Sequence, residues 1–361
     1  MDKLNKKLYF AKSFLMLGDA KEHCYNCSYC RVKLDDLQSY HMLPSEVNER
    51  FRQVPVAVNL FYCDPLLQVE NTVNILHQLE KDGHKGPVVI VTKGDFSLFP
   101  DILFDLDLHI AFSTFGVNSI YDGSTMERFE NNLKQIKLRK NNYHYSIEFR
   151  PICYGINDSE EIFRKVFALA KEYGLAIGYS GLQGKKESVQ YWKENNIEFK
   201  PYPGYTFGHK KIISEEKQEL LFNLSKEYNV PIFKKTSCLF SYVHNLERDY
   251  NAHYYRPNEV GCYDCPMKEK CFAFKEKKKE NIELPFKFEI LEKQDHECIL
   301  KKTGLCNFPT EDCSHISGQI IKTEEPLTTS DVRLIKWLTG MTVDANFIES
   351  PFISEFWKEK K

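Results

Sequence analysis

The sequence predicts an α/β fold: a partial (β/α)6 TIM-like barrel, a cysteine-rich extension and a small C-terminal α+β unit. Three observations lead there. Six short β-like runs recur with helical stretches between them. Several runs are nearly continuous in apolar residues, as in Val88-Val89-Ile90-Val91, which suits parallel strands buried on both faces. The alternation then changes near residue 185, where loop-rich, cysteine-bearing sequence begins.

The expected strands are Leu8–Ser13, Val56–Tyr62, Pro87–Lys93, Leu108–Thr114, Tyr145–Pro151 and Leu175–Gly181. Between them, Asn71–Leu79 is apolar on one side before Asp82-Gly83, and Met126, Phe129, Leu133 and Ile136 make a helical stripe. Asp158 with Glu161 reads as a capping box, Ile162, Val166, Leu169 and Tyr173 as the apolar face behind it, and Gly174 as the stop. Alternating β and α units imply a parallel sheet with right-handed crossovers, and an open doubly wound sheet is the alternative. Either arrangement puts chemistry at the C-terminal ends of the strands.

Beyond the core, Ser214–Tyr228 reads as a helix capped by Ser214, with Glu215-Glu216 in its first turn. Pro231–Lys234 is a further candidate strand. The expected organisation is residues 1–185 for the barrel core, 186–280 for the extension and 281–361 for a small C-terminal domain that is a candidate for substrate recognition.

The chain has 361 residues, 42% of them hydrophobic, enough for a sizeable core. Its net charge of −2 gives no broad basic footprint for nucleic acid. Lys12 interrupts the apolar run from Tyr9 to Gly18, so no secretory leader is expected, and no apolar stretch approaches the ~18 residues of a membrane span. No membrane partner is expected. The 12 cysteines are too few for a disulfide scaffold and are clustered, which in a reducing cytoplasm points to metal.

The sharpest cluster is His23-Cys24-Tyr25-Asn26-Cys27-Ser28-Tyr29-Cys30, just after the first expected strand. Three thiolates on one loop can hold an iron–sulfur cluster and leave one iron open, where a closed structural site would take four ligands. A second group is Cys262, Cys265 and Cys271, with Cys238 as the nearest upstream fourth ligand. Four thiolates suit an auxiliary 4Fe–4S cluster, with zinc as the rival. Cys298, Cys306, Cys313 and His315 have no recognisable spacing and read as incidental. The aromatics Tyr202, Tyr205, Phe207 and His209, and Tyr254-Tyr255-Arg256, can stack bases, but such rings more often pack a loop against its own protein.

In order, these motifs resemble the radical S-adenosylmethionine (SAM) superfamily. Its usual signature has three cysteines spaced by three and then two residues, with an aromatic before the last. Cys27-Ser28-Tyr29-Cys30 matches the second half; Cys24 stands one residue closer than usual, and His23 occupies the usual place. Cys24 or His23 is then the third ligand, and thiolate suits the cluster better. After strand two, Phe61-Tyr62-Cys63-Asp64-Pro65 resembles the turn that engages the amino group of SAM, with Asp64 as the acceptor. Thr92-Lys93-Gly94, Ser113-Thr114 and Arg150-Pro151-Ile152 follow at later strand ends. The nearest-looking branch is that of spore photoproduct lyase, and the resemblance covers roughly residues 8–185.

The resemblance implies a 4Fe–4S cluster held by Cys24, Cys27 and Cys30. It implies SAM contacts from Tyr29, Tyr62, Cys63, Asp64, Pro65, Lys93, Ser113, Thr114 and Arg150. It also implies reductive cleavage of SAM to a 5′-deoxyadenosyl radical that abstracts a substrate hydrogen, with a flavodoxin or ferredoxin as electron donor. The branch tilts the expected substrate towards a nucleobase-bearing molecule or nucleic acid. The second cysteine group, which resembles auxiliary-cluster domains, keeps a peptide or protein substrate open. A non-enzymatic reading also remains: a metal-stapled nucleic-acid-binding or interaction protein.

Overall fold

A computed structural model describes residues 9–10, 15–17, 25, 27–30, 56–58, 64–208, 211–246, 265–276, 287–291, 320–328, 335 and 341–348. The motif residues His23, Cys24, Tyr62, Cys63 and Cys262 lie outside them, as do Cys298, Cys306, Cys313, His315, His209 and Tyr254-Tyr255-Arg256.

The core is an eight-stranded sheet whose spatial order follows the chain: β1 (Tyr9–Phe10), β2 (Leu15–Leu17), β3 (Val56–Val58), β4 (Val88–Thr92), β5 (Leu108–Thr114), β6 (His144–Ile152), β7 (Ala176–Gly181) and β8 (Ile232–Phe233). Only the β1–β2 pair is antiparallel. A doubly wound sheet reverses its strand order at a switch point. Here the order never reverses, so that alternative is excluded and the arrangement is compatible with a partial TIM-like barrel. Of the expected first strand, Leu8–Ser13, the described part is Tyr9–Phe10, which pairs antiparallel with Leu15–Leu17; Leu15–Leu17, beyond the expected run, is the strand that heads the parallel series.

Helices α1 (Val69–Lys81), α2 (Met126–Leu138), α3 (Glu160–Tyr173) and α5 (Glu215–Tyr228) cover one face of the sheet. Leu76, Phe129, Phe167 and Leu221 there pack with Val88, Ile110, Phe149 and Ile177. The capping signals are local. Thr125, Ser159 and Ser214 each accept a backbone N–H three residues on, and Gly174 ends α3 at φ 66°. The expected cap of α3, Asp158, instead accepts the Gly155 N–H (2.9 Å), because it sits one residue too early.

Alternate strand residues face the other way. On this inner face α6 (Thr236–Val243) and α7 (Lys268–Glu276) pack Leu239, Phe240 and Cys271 against Val89, Ala111, Ala176 and Phe233. The register stacks inner-face residues in rows: Val89 with His109 and His144, then Val91 with Ala111, Ser146 and Ala176, then Ser113 with Glu148, Gly178 and Phe233. The middle row is small and apolar apart from Ser146; the rows at either end carry the polar groups. α4 (Lys186–Glu194) lies at the C-terminal ends of the strands, where Trp192 packs with Phe115 and Phe199. Nearer the C-terminus, β10 (Ile320–Lys322) pairs with β9 (Glu289–Leu291) and β12 (Thr342–Asp344), and β11 (Leu327–Thr328) pairs with β13 (Phe347–Ile348), around a separate apolar cluster.

No helix among the described residues is long and apolar enough to cross a membrane.

Candidate functional site

Cys27 to Cys30 form a turn, with the Cys30 N–H donating to Cys27 O (3.1 Å). It is fastened from two sides. The Ser28 N–H donates to Tyr121 O (2.9 Å), and Trp192 Nε1–H of α4 donates to Ser28 O (2.9 Å). The Tyr29 ring stacks on Phe115 at 5.6 Å. The loop after β5 comes so close that a Cβ on Gly123 would stand 1.6 Å from Tyr25 O, so only glycine fits there.

Three elements meet at Cys27. Its buried Sγ donates to Asp122 Oδ1 (3.1 Å), accepts the Gly123 N–H (3.4 Å) and lies 3.8 Å from Lys93 Nζ, at the end of β4. Lys93 forms a buried ion pair with Asp122 Oδ1 (2.5 Å) and meets the Tyr29 hydroxyl, which itself donates to Asp122 Oδ1 (2.9 Å). Asp122 Oδ1 therefore takes three donors, while its buried Oδ2 has no hydrogen-bond partner among the described residues. Burial pushes the Cys27 thiol above its ordinary range; Lys93 pulls it down and Asp122 pushes it up again. Tyr29 is pushed well up by burial and by Asp122.

Lys93 is aimed by the turn beside it. Asp64 accepts the Leu66 N–H (2.9 Å) and the Thr92 hydroxyl (2.5 Å) on Oδ1, and the Lys93 N–H (2.5 Å) on Oδ2. Burial raises the Asp64 carboxyl, while these bonds hold it down. Pro65 opens the single turn that Asp64 caps. Gly94 permits the approach, since a Cβ there would meet Leu66 Cβ at 2.5 Å. Asn132 of α2 latches the same loop, donating to Gly94 O (2.6 Å) and accepting the Phe96 N–H (2.8 Å).

Of the residues expected from sequence, Cys27, Tyr29, Asp64, Pro65 and Lys93 come together. Thr114 does not join them. Its hydroxyl accepts the Gly116 N–H (3.0 Å) and contacts Met126 Sδ (3.5 Å), because an even strand position faces the helices. Ser113 is on the inner face, paired across the sheet with Glu148. Arg150 is engaged in an ion pair with the fully buried Glu148 (2.9 Å) and donates to Thr236 Oγ1 (2.6 Å). Burial raises the Glu148 carboxyl and Arg150 lowers it. Tyr202 and Phe207 pack on Tyr154 and Trp192, which is the protein-packing role.

Asp122, Gly123 and Glu148 are the residues sequence reasoning missed. Asp122-Gly123 reads as a turn pair, and only its place after β5 marks it. Glu148 is a fully buried carboxylate in the middle of β6, and such a group is itself a signal of function.

Of the cysteines expected to hold metal, the described ones are Cys27 and Cys30 on the turn, and a second set near α6 and α7. Cys238, Cys265 and Cys271 all pack in the one inner-face cluster, although the first two stand 27 positions apart in sequence. No protein-family model matches the chain, and no curated protein matches it.

Proposed function

We propose that the chain is a cytoplasmic radical SAM enzyme on a partial (β/α)6 barrel, with a 4Fe–4S cluster on Cys24, Cys27 and Cys30. The observation that carries this reading is the convergence of the cysteine turn, the Asp64 turn and Lys93 at the C-terminal ends of successive parallel strands. When bound, the cluster and SAM supply one-electron cleavage of a sulfonium and hydrogen-atom abstraction.

The surrounding residues fit such a group. Gly123 N–H and Lys93 Nζ both approach Cys27 Sγ, and hydrogen bonds to the sulfurs tune clusters of this kind. The Lys93–Asp122 pair offers a cation and an anion to an amino-acid head group. Asp122 Oδ2, buried and without a hydrogen-bond partner among the described residues, is the acceptor for its ammonium. Asp64, whose oxygens already hold the turn and the Lys93 backbone, positions Lys93. Phe115, Trp192 and Tyr29 exclude water from the side of the turn.

The substrate belongs beside Ser113 and Glu148 of the polar inner-face row and Arg150, the ion-pair partner of Glu148 two residues further along β6. A carboxylate and a guanidinium there suit the hydrogen-bonding edge of a nucleobase-bearing molecule. Electrons come from a flavodoxin or ferredoxin. A second reading, a peptide or protein substrate, is favoured by Cys238, Cys265 and Cys271 packing in one apolar cluster, where with Cys262 they would hold an auxiliary 4Fe–4S cluster. A metal-stapled binding protein is the non-enzymatic rival, favoured by the spacing of Cys24 and Cys27, one residue shorter than the usual signature, and by Cys63 in place of a glycine.

The test is anaerobic reconstitution with iron and sulfide, reduction and addition of SAM. We expect 5′-deoxyadenosine from the wild type and none from Cys27→Ala. An intact cluster that neither binds nor cleaves SAM overturns the enzyme reading. Deuterium passing into 5′-deoxyadenosine from a labelled nucleotide pool, or from a peptide pool, separates the two substrate classes.

A further inference from the structure

At the other end of the sheet a second constellation is built where β5 and β6 begin. Asp107 precedes β5, His144 is the first residue of β6, and His244 follows α6; their ligating atoms all lie within 4.8 Å of one another. We propose that Asp107, His144 and His244 bind a divalent first-row transition-metal ion of the zinc class, separate from any site on the cysteines.

The donor set and spacing carry this. Asp107 Oδ1 is 2.8 Å from His244 Nδ1 and 3.1 Å from His144 Nε2. Ligands at ~2.0–2.1 Å around a tetrahedral ion stand roughly 3.3 Å apart, so these two spacings need only a few tenths of an ångström of adjustment, and the two imidazole nitrogens lie within 4.8 Å of each other. Two imidazoles and one carboxylate are a borderline donor set suited to such ions rather than to calcium or magnesium.

The outer partners are also in place. His244 Nε2 faces Nδ1 of the fully buried His109 at 3.3 Å, and His109 Nε2 faces Ser146 Oγ at 2.8 Å. With the ion on His244 Nδ1, the His244 Nε2–H donates to His109, and the His109 Nε2–H donates to Ser146. Each ring nitrogen then has one role, which fixes the tautomer of the ligand as metal sites require. Three protein ligands leave a fourth position. His144 also lines an open cavity of about 520 Å³, walled by Tyr143, Tyr145, Tyr173 and Tyr242, and about two-fifths of its side chain and of Asp107's is exposed, so the site lies within reach of solvent. The rival is a metal-free relay, with Ser146 donating to His109, His109 to His244, and His244 to Asp107.

The experiment is Co2+ titration of the full chain purified without iron–sulfur reconstitution, with cobalt counted after dialysis. Cobalt on cysteines shows a thiolate charge-transfer band, which serves as an internal control for folding. We expect His144→Ala and Asp107→Asn each to lose one cobalt per chain while that band stays unchanged. We also expect Ser146→Ala, which removes no ligand, to weaken this cobalt about tenfold. If the wild type binds only thiolate-ligated cobalt, or His144→Ala binds as much as the wild type, the site is a metal-free relay and the proposal is overturned.

Discussion

Lys93 reaches Cys27 because Asp64 grips its backbone N–H while Asp122 takes its ammonium group. Both partners of the Lys93–Asp122 pair are almost wholly withdrawn from solvent, so removing one leaves a buried charge. Asp122→Ala should therefore cost about 3 kcal/mol, read by urea denaturation, with Lys93→Met on the same background recovering part of the loss. Gly123→Ala should cost about 2 kcal/mol and lower iron loading, because its Cβ would displace the cysteine turn at Tyr25; iron analysis checks this. Glu148 gives a pH test. Burial raises its folded-state pKa above the ordinary 4.5, so the folded state binds the proton more tightly. Stability is then lost as pH rises from about 4.5 through the folded value. The Tm of the wild type should fall relative to Glu148→Gln across that window, and a difference independent of pH would count against it. At this scale the sequence makes the cysteines, Asp64 and Lys93 legible, since each stands at a strand end in a short motif. Asp122 is hidden because it meets Cys27 across 95 positions, and only the fold makes that pairing.

Among the elements, strands read best where apolar residues run continuously. Leu108–Thr114 matches its expected bounds, and the Val88 run is one residue shorter at each end than the expected Pro87–Lys93. The N-terminal strand reads worst, because Lys12 and Ser13 break its pattern and two short segments look like one. The face of α3 is also rotated from the expected one. Phe163, Val166, Phe167 and Ala170 are buried, whereas Ile162, Leu169 and Tyr173 are only partly covered. Both stripes have helical spacing, and the choice between them is made by the sheet. Ser159, rather than Asp158, caps this helix. Ser159→Ala should cost about 1 kcal/mol and lower Tm, and equal losses from Asp158→Ala would show that capping does not separate them.

For the whole molecule, periodicity gives alternating strands and helices but cannot choose between a barrel-like and a doubly wound course. That choice rests on which face the connecting helices take, and α1, α2, α3 and α5 share one. The sheet also runs past residue 185, where β8 pairs with β7 and α6 closes over the inner face. The cysteines of α6 and α7 thus belong to the core sheet's packing rather than to a detached appendage. If they hold an auxiliary cluster, the Cys24/Cys27/Cys30 triple-alanine protein should retain about one four-iron complement after reconstitution; retention of zinc or of no metal would remove that cluster from the proposal. The central claim is an iron–sulfur cluster on the Cys27 turn with an iron open to SAM. Electron paramagnetic resonance of the reduced, reconstituted protein tests it most directly. A 4Fe–4S signal whose g values shift on adding SAM, and whose SAM-sensitive part is missing in Cys27→Ala, is the expected result; a spectrum that SAM leaves unchanged, or that Cys27→Ala retains, would contradict it.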